Sequence, residues 1–311
     1  MSTADATTRQ RDVFRHDALL YNGPDGFHAA VMAFIAEAVA ADEPVLVVAS
    51  GHKIARLRAE AMDDRVELAD MDQVGRNPAR IIPAWREFLD AHPQTKVRGV
   101  GEPISPSRGA DELVECQHHE QLLNTAFSDA SGFWLRCPYD TSALPSEVIA
   151  EARRSHPVVV DDGGHATRGV YRGSDGVGML QGPLPEPDAS PVTFTLRPGR
   201  LSDLRAFVRR RASAAGLSEA RVADLVLAAN EIGSNSLMYG GGDASVRMWR
   251  SGTVVCEVSD KGVMRDPLVG RSRPGLDEHD TRGMWIVNQV CDLVQIRSSP
   301  DGTVVRLHMR S

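Results

Sequence analysis

The rhythm of apolar and polar positions changes past residue 190, and the change separates two kinds of fold. Before it, short unbroken apolar runs alternate with amphipathic stretches. Residues 25–41 repeat apolar positions at helical spacing, and 44–49 form a Val/Leu run suited to a strand buried on both faces. The alternation continues through helix 54–62, strand 66–68, helix 84–89, strand 96–100, helix 111–127, strand 133–137 and helix 146–154. Repeated strand–helix units predict a parallel, three-layer α/β domain. Beyond His156 the composition turns to Gly, Asp, Arg and Pro, and 183–191 reads as an interdomain linker.

After the linker the pattern predicts an α+β domain. Val222, Leu225, Val226, Ala229 and Ile232 form one stripe of a helix, with Glu231 and Asn235, four residues apart, on the opposite face. A strand over 253–259 runs into Asp260-Lys261-Gly262. Residues 267–279, rich in Arg, Pro, Gly and Asp, predict a mobile loop that closes on Thr281-Arg282-Gly283 at the entry to an apolar helix. Strands 293–297 and 303–307 flank a Ser299-Pro300-Asp301-Gly302 turn and predict a terminal hairpin.

Length supports two domains, since 311 residues exceed what one core of roughly 150 residues needs. The polar segment 1–17 lacks a signal peptide's apolar core, and 29–41 is too short to span a bilayer and carries Glu37. Cys116, Cys137, Cys256 and Cys291 lack paired metal-ligand spacing, which predicts reduced thiols in a cytoplasmic protein. Residues 191–311 hold 17 Lys and Arg against 13 Asp and Glu, the remainder 18 against 29. Neither part has the basic run or stacked aromatics of a nucleic-acid binder.

The chemistry concentrates in the second part. A carboxylate and a carboxamide on one helical turn suit water orientation and Mg2+ ligation, although a solvated face is the commoner fate of such a pair. Asp260 at a strand end can accept a hydrogen bond from a ligand amino group, and Gly262 keeps the backbone close. Gly283 opens a helix whose free N–H groups can face phosphate.

This ordered set resembles the GHKL (Bergerat-fold, HATPase) ATPases over about residues 193–311, most closely the RsbW-like anti-sigma-factor serine/threonine kinases. The resemblance implies ATP and Mg2+ as cofactors. It makes Glu231 the base or water-polarising group and Asn235 the Mg2+ ligand, and it sets Asp260 on the adenine amino group. Gly262 would sit against adenine, Gly283 against phosphate, and Thr303 would support Asp260. Two positions depart from the pattern: Met264 stands where the first box has a second glycine, and Thr281 where the second box has one. Fewer glycines leave fewer N–H groups to wrap phosphate.

Within the first part, Ser50-Gly51-His52-Lys53 follows a strand but lacks the spacing and terminal hydroxyl of a phosphate loop, so it reads as a strand-to-helix turn. Helix 111–127 puts Glu120 inside an apolar stripe with Leu113, Cys116, Leu123 and Phe127. Such a carboxylate needs a partner, either structural, with Arg98 and Arg136 as candidates, or a ligand. The segments His16 with Leu20-Tyr21, Asn77-Pro78-Ala79-Arg80, Gly101-Glu102-Pro103, Glu115 to Glu120 with Leu123-Asn124, and Pro138-Tyr139-Asp140 resemble the MEDS sensory domain, a RecA-like α/β module, over about 13–158. By that analogy His16, Tyr21, Glu102, Glu120 and Asn124 line a pocket for a small-molecule signal.

Together the resemblances imply a sensory domain over 13–180, a linker over 181–192 and an ATPase domain over 193–311, the architecture of RsbA-type regulators. The expected function is a cytoplasmic switch. It sequesters a sigma factor and phosphorylates a STAS-type anti-sigma-factor antagonist, without membrane or nucleic-acid contact and with a homodimer left open. Two alternatives remain: a non-catalytic sequestering module with a degenerate ATP site, and a histidine kinase using His118-His119-Glu120.

Overall fold

The computed structural model describes residues 14–60, 63–161, 163–168, 170–173, 182–275 and 279–311, with side chains from 282 onward in the last segment. The chain begins β1 (Arg15–Tyr21), α1 (Gly23–Ala40), β2 (Val45–Ala49), α2 (Gly51–Arg58), β3 (Val66–Asp70) and α3 (Met71–Val74). After a 3-10 turn at Pro78–Arg80 come α4 (Ile81–Ala91), β4 (Val97–Gly101), α5 (Ala110–Ala126), β5 (Phe133–Asp140), α6 (Ser146–Ser155), β6 (Val158–Val160) and β7 (Ala166–Thr167). It ends β8 (Val192–Leu196), α7 (Leu201–Ala214), α8 (Glu219–Tyr239), β9 (Ala244–Ser251), β10 (Thr253–Asp260), α9 (His279–Val290), β11 (Leu293–Ser299) and β12 (Gly302–Met309).

Two compact units interleave along the sequence. One collects the residues up to Met71 with Glu87–Pro106 and Leu123–Gly173, and the other collects Asp72–Arg86, Ser107–Leu122 and Ser174–Ser311.

The first unit is built on a seven-stranded sheet of order β3-β2-β4-β5-β1-β6-β7. β1 to β6 pair in parallel, and β7 alone runs antiparallel, against β6, so the sheet is mixed rather than purely parallel. The apolar run of β2 is buried along its whole length, and α1 seats Phe27, Val31, Phe34 and Ile35 against it. The turn at Ser50 to Lys53 is the strand-to-helix step its sequence predicts, since β2 stops at Ala49 and α2 starts at Gly51. β1 and β6 break the helix–strand reading. β1 carries His16 and Asp17 inside an otherwise apolar run, and Asp17 is fully buried, receiving hydrogen bonds from Trp134 Nε1 (2.7 Å), Arg136 (3.3 Å) and Arg15 (3.2 Å). Those partners lie far away in sequence or on the same strand, so periodicity alone does not reveal the element.

The second unit holds a five-stranded antiparallel sheet of order β11-β12-β10-β9-β8. One face packs against α7, α8 and α9: Leu204, Val208, Leu225, Ala229, Ile232 and Val287 join Val246, Cys256, Val258 and Leu307 in a single core. Strand alternation sends Glu257 to the other face, between its cross-strand neighbours Arg247 and Arg306. Both arginines reach its carboxylate, at 2.7 Å each. Arg76 and Arg221 both pair with buried Asp292, and Asn77 Nδ2 donates to the Asn288 carbonyl (3.1 Å), so 72–86 is fastened by polar contacts within this unit. Likewise Arg297 Nη2 donates to buried Glu115 (2.6 Å). Burial pushes that carboxyl up, but His118 and Arg297 outweigh it and hold it below its usual range.

Removing one member of a buried charge cluster leaves the others desolvated without compensation. Glu257→Ala is therefore expected to destabilise the second unit by about 3 kcal/mol, read as a lower urea midpoint for its transition; an unchanged midpoint would show the triad to be energetically idle.

Candidate functional site

Helix α8 positions the site because its buried stripe, Val222, Leu225, Val226, Ala229 and Ile232, is fixed in the core, which leaves Glu231 and Asn235 half-buried at one edge. Below them opens a cavity of about 310 Å³ lined by Ile232, Asn235, Ser236, Asp260, Gly262 and Thr303, among others. Met264, Val269, Met284 and Val305 supply apolar walls. That size lies at the lower end of ligand pockets, roughly 300–1,000 Å³.

Asp260 is held from two sides. Ser236 Oγ donates to its Oδ2 (2.6 Å), and the Gly262 N–H donates to its Oδ1 (2.8 Å). Each carboxylate oxygen has a second lone pair, so the group retains acceptor capacity toward the cavity. Thr303 Oγ1 donates to the Gly262 carbonyl (2.8 Å), which obliges it to accept from Ser298 Oγ (2.8 Å); Ser298 in turn accepts from the Met264 N–H (2.8 Å). The relay ties the start of the loop after β10 to the hairpin β11–β12.

Glycines set the tolerances. A Cβ on Gly262 would lie 2.6 Å from the Tyr239 carbonyl oxygen and 2.9 Å from Gly240 Cα, both backbone atoms. A Cβ on Gly283 would lie 2.9 Å from Glu231 Oε2 and 3.7 Å from Asn235 Nδ2, so α9 backs directly onto the Glu/Asn pair there; the helix starts at His279, which makes Gly283 its fifth residue rather than the residue that opens it. Of the six residues singled out in the second part, Asn235, Asp260, Gly262 and Thr303 line the hollow, while Glu231 and Gly283 lie against each other beside Asn235. Met264 lines it too, with its N–H committed to Ser298. The Thr281 side chain falls outside the described residues. Sequence reasoning missed Ser236, Ser298 and Gly240. Gly240 packs against Asp260 so closely that a Cβ would lie 2.6 Å from Cγ, and its position just past the end of α8 was the available signal.

The five residues proposed to line one sensory pocket divide differently. His16 and Tyr21 are five apart on β1 and therefore project to opposite faces of the sheet. Tyr21 donates to Glu102 Oε1 (2.6 Å), and Lys53 Nζ reaches both (2.7 and 2.6 Å). Burial pushes the Glu102 carboxyl up, while Lys53 and Tyr21 oppose that shift, and burial also raises the Tyr21 hydroxyl. Lys53, from the strand-to-helix turn, is a member of this network that its sequence context did not reveal. His16 instead meets Asn124 at 3.0 Å. Glu120 is buried on α5, in the stretch 107–122 that belongs to the second unit. The two arginines considered as its partners are engaged elsewhere: Arg98 pairs with Glu43 and Glu37, and Arg136 with Asp17.

Comparison with known families finds two successive stretches. Residues 15–157 match the family described as the MEthanogen/methylotroph, DcmR Sensory domain (MEDS), and residues 194–309 match the Histidine kinase-like ATPase domain. Among solved structures the chain is similar to the RsbU and RsbW domains of Rv1364c from Mycobacterium tuberculosis, at 21% identity and a TM-score of 0.31. That match covers 39% of this chain and spans about a third of the other, 32%. No curated protein matches the chain. Among the described residues no helix is long and apolar enough to cross a membrane, and the four cysteines are buried and form no disulfide. The chain thus joins a stretch of MEDS sensory type to an ATPase domain of the histidine kinase-like, or GHKL, kind.

Proposed function

We propose that the second unit binds ATP with Mg2+ in the Asp260 cavity. On this reading it acts as an anti-sigma factor and as a protein serine/threonine kinase toward a STAS-type antagonist, under control of the sensory stretch. The observation that carries this reading is a hollow lined by Asn235, Asp260, Gly262 and Thr303, with Glu231 and Gly283 packed together beside Asn235.

The donor set fits the cofactor. Asp260 keeps acceptor capacity for an exocyclic amino group, and the apolar walls suit a flat heterocycle. Asn235 offers a hard oxygen for Mg2+, and the ion when bound supplies charge neutralisation for the phosphates. The rest falls to the chain itself. Glu231 accepts the proton of the incoming seryl or threonyl hydroxyl, or orients it by hydrogen bonding. Gly283, the fifth residue of α9, lets the helix pack against Glu231, and the free N–H groups of the turn before it would be the ones to meet phosphate. Phosphate on the antagonist adds about two negative charges to its binding surface and releases it from the kinase.

A second reading, a non-catalytic sequestering module, is favoured by one observation. The Met264 N–H, at the position of a family glycine, is committed to Ser298 rather than free for phosphate. A histidine kinase is disfavoured because His118 and His119 are buried on α5.

Mg-ATP at a hundredfold excess over its Kd should stabilise the chain by about 2.7 kcal/mol in thermal denaturation; the absence of any shift, with no heat on titration, would favour the sequestering module. Gly262→Ala should remove that stabilisation, because the two nearest atoms its Cβ meets are backbone and the third is Asp260 Oδ1. Glu231→Ala should keep it while lowering radiolabel transfer from ATP to a STAS-type antagonist by roughly 10²–10⁴-fold. Equal transfer by variant and wild type would reject the role of Glu231.

A further inference from the structure

The first unit holds a side-chain cluster of which the family reading names only His16. His16 on β1, Cys137 on β5 and His156, which follows α6, are buried, at 2%, 1% and 0% exposure. Their donor atoms lie within 4.8 Å of one another. His16 and Cys137 share a face of the sheet, since Cys137 pairs in parallel with Ala18, two residues along β1. His16 Nε2 stands 3.3 Å from Cys137 Sγ, and the two imidazole rings are 4.1 Å apart between centroids.

The hydrogen bonds at the two Nδ1 atoms set the tautomers of the rings. Asn124 Nδ2 donates to the Ser155 carbonyl (2.9 Å), which fixes its Oδ1 as the atom facing His16 Nδ1 at 3.0 Å. An amide oxygen only accepts, so His16 carries its proton on Nδ1. His156 Nδ1 lies 2.8 Å from the Ala152 carbonyl and is likewise the protonated nitrogen. With the proton on Nδ1, the nitrogen each ring can offer a metal is Nε2, which in His16 already contacts Cys137 Sγ. Histidine ligands of metals are oriented in this way, with the distal N–H held by a carbonyl or carboxylate while the other nitrogen coordinates.

We propose that His16 Nε2, His156 Nε2 and Cys137 Sγ bind a borderline-soft divalent transition metal, Zn2+ being the best match to two imidazoles and one thiolate. Tetrahedral Zn2+ with its usual Zn–N and Zn–S lengths separates N and S donors by about 3.5 Å, close to the 3.3 Å between His16 and Cys137. Binding replaces the Cys137 thiol proton, which leaves to solvent, and no electron moves. The ion would join β1, β5 and the end of α6 through bonds far stronger than the thiol–imidazole contact it replaces.

The test uses the full chain, stripped with EDTA and titrated with Co2+ as a spectroscopic substitute for Zn2+. One Co2+ per chain is expected, with the visible bands of a tetrahedral ion and a thiolate-to-cobalt charge-transfer band. Cys137→Ser should abolish the charge-transfer band, and Cys116→Ser should keep it. Asn124→Ala, which frees the His16 ring without touching a ligand, should weaken binding about 10- to 100-fold. A charge-transfer band that survives in Cys137→Ser, or no stoichiometric binding by wild type, overturns the proposal and leaves a thiol–imidazole pair in an ordinary core. If Cys137→Ser loses its native circular dichroism, the wild type decides instead: Zn2+ should protect Cys137 from alkylation, and equal labelling with and without Zn2+ overturns the site.

Discussion

The second unit depends on keeping one carboxylate in place at the end of a strand. Asp260 is the last residue of β10, and two donors hold it: the Ser236 hydroxyl from α8 and the Gly262 N–H from the chain just beyond. A half-buried carboxylate that lost either partner would swing toward water, because desolvating it without hydrogen bonds is costly. With both made, β10, α8 and the following loop share a corner, and the hollow above Asp260 follows from that arrangement. The crowding of Gly240 and Gly262 expresses the same constraint in steric terms, since two backbone segments approach too closely there for any side chain.

The hydroxyl relay extends this corner to the far end of the sheet. Thr303 is opposite Asp260 in the β10–β12 register, and Ser298 is opposite Thr303 in the β11–β12 register. Consecutive cross-strand positions on one face thus carry Asp, Thr and Ser, and each hydroxyl has a defined donor direction. Sheet register therefore does more than build a core here. It delivers polar side chains to the mouth of the cavity at fixed spacing.

How much of this was legible depended on the range of the interaction. The Glu231–Asn235 pair needed only helical periodicity, and Asp260 and Gly262 needed only the end of an apolar strand. Ser236 looks like an ordinary helical serine until β10 is placed beside it, and Ser298 is one of two serines before a turn until Met264 is seen to donate to it. β8 is an edge strand with mostly exposed positions, and α7 carries four arginines on its surface turns, so neither gave a clean period. β1 was hidden by His16 and Asp17, polar residues that become compatible with a buried strand only through distant partners. His16 and Tyr21, expected in one sensory pocket, divide between the two faces of the sheet because residues an odd number apart on a strand face opposite ways.

The ion pair between Arg297 and Glu115 bears on what any regulator of the cavity must contend with. Both groups are buried, and a buried charge separated from its partner costs several kcal/mol, about 3–5 when one member is removed. Arg297 directly precedes Ser298, and the two side chains leave β11 on opposite faces. Glu115 therefore pins the strand from one side at the residue where Ser298, from the other, holds the Met264 N–H. Rotating or sliding β11 to release Met264 would have to break a charge-assisted bond with no solvent to replace it. The backbone N–H that the family pattern would leave to phosphate is thus restrained by a carboxylate on α5, and a change at Glu115 is the local event with the leverage to free it.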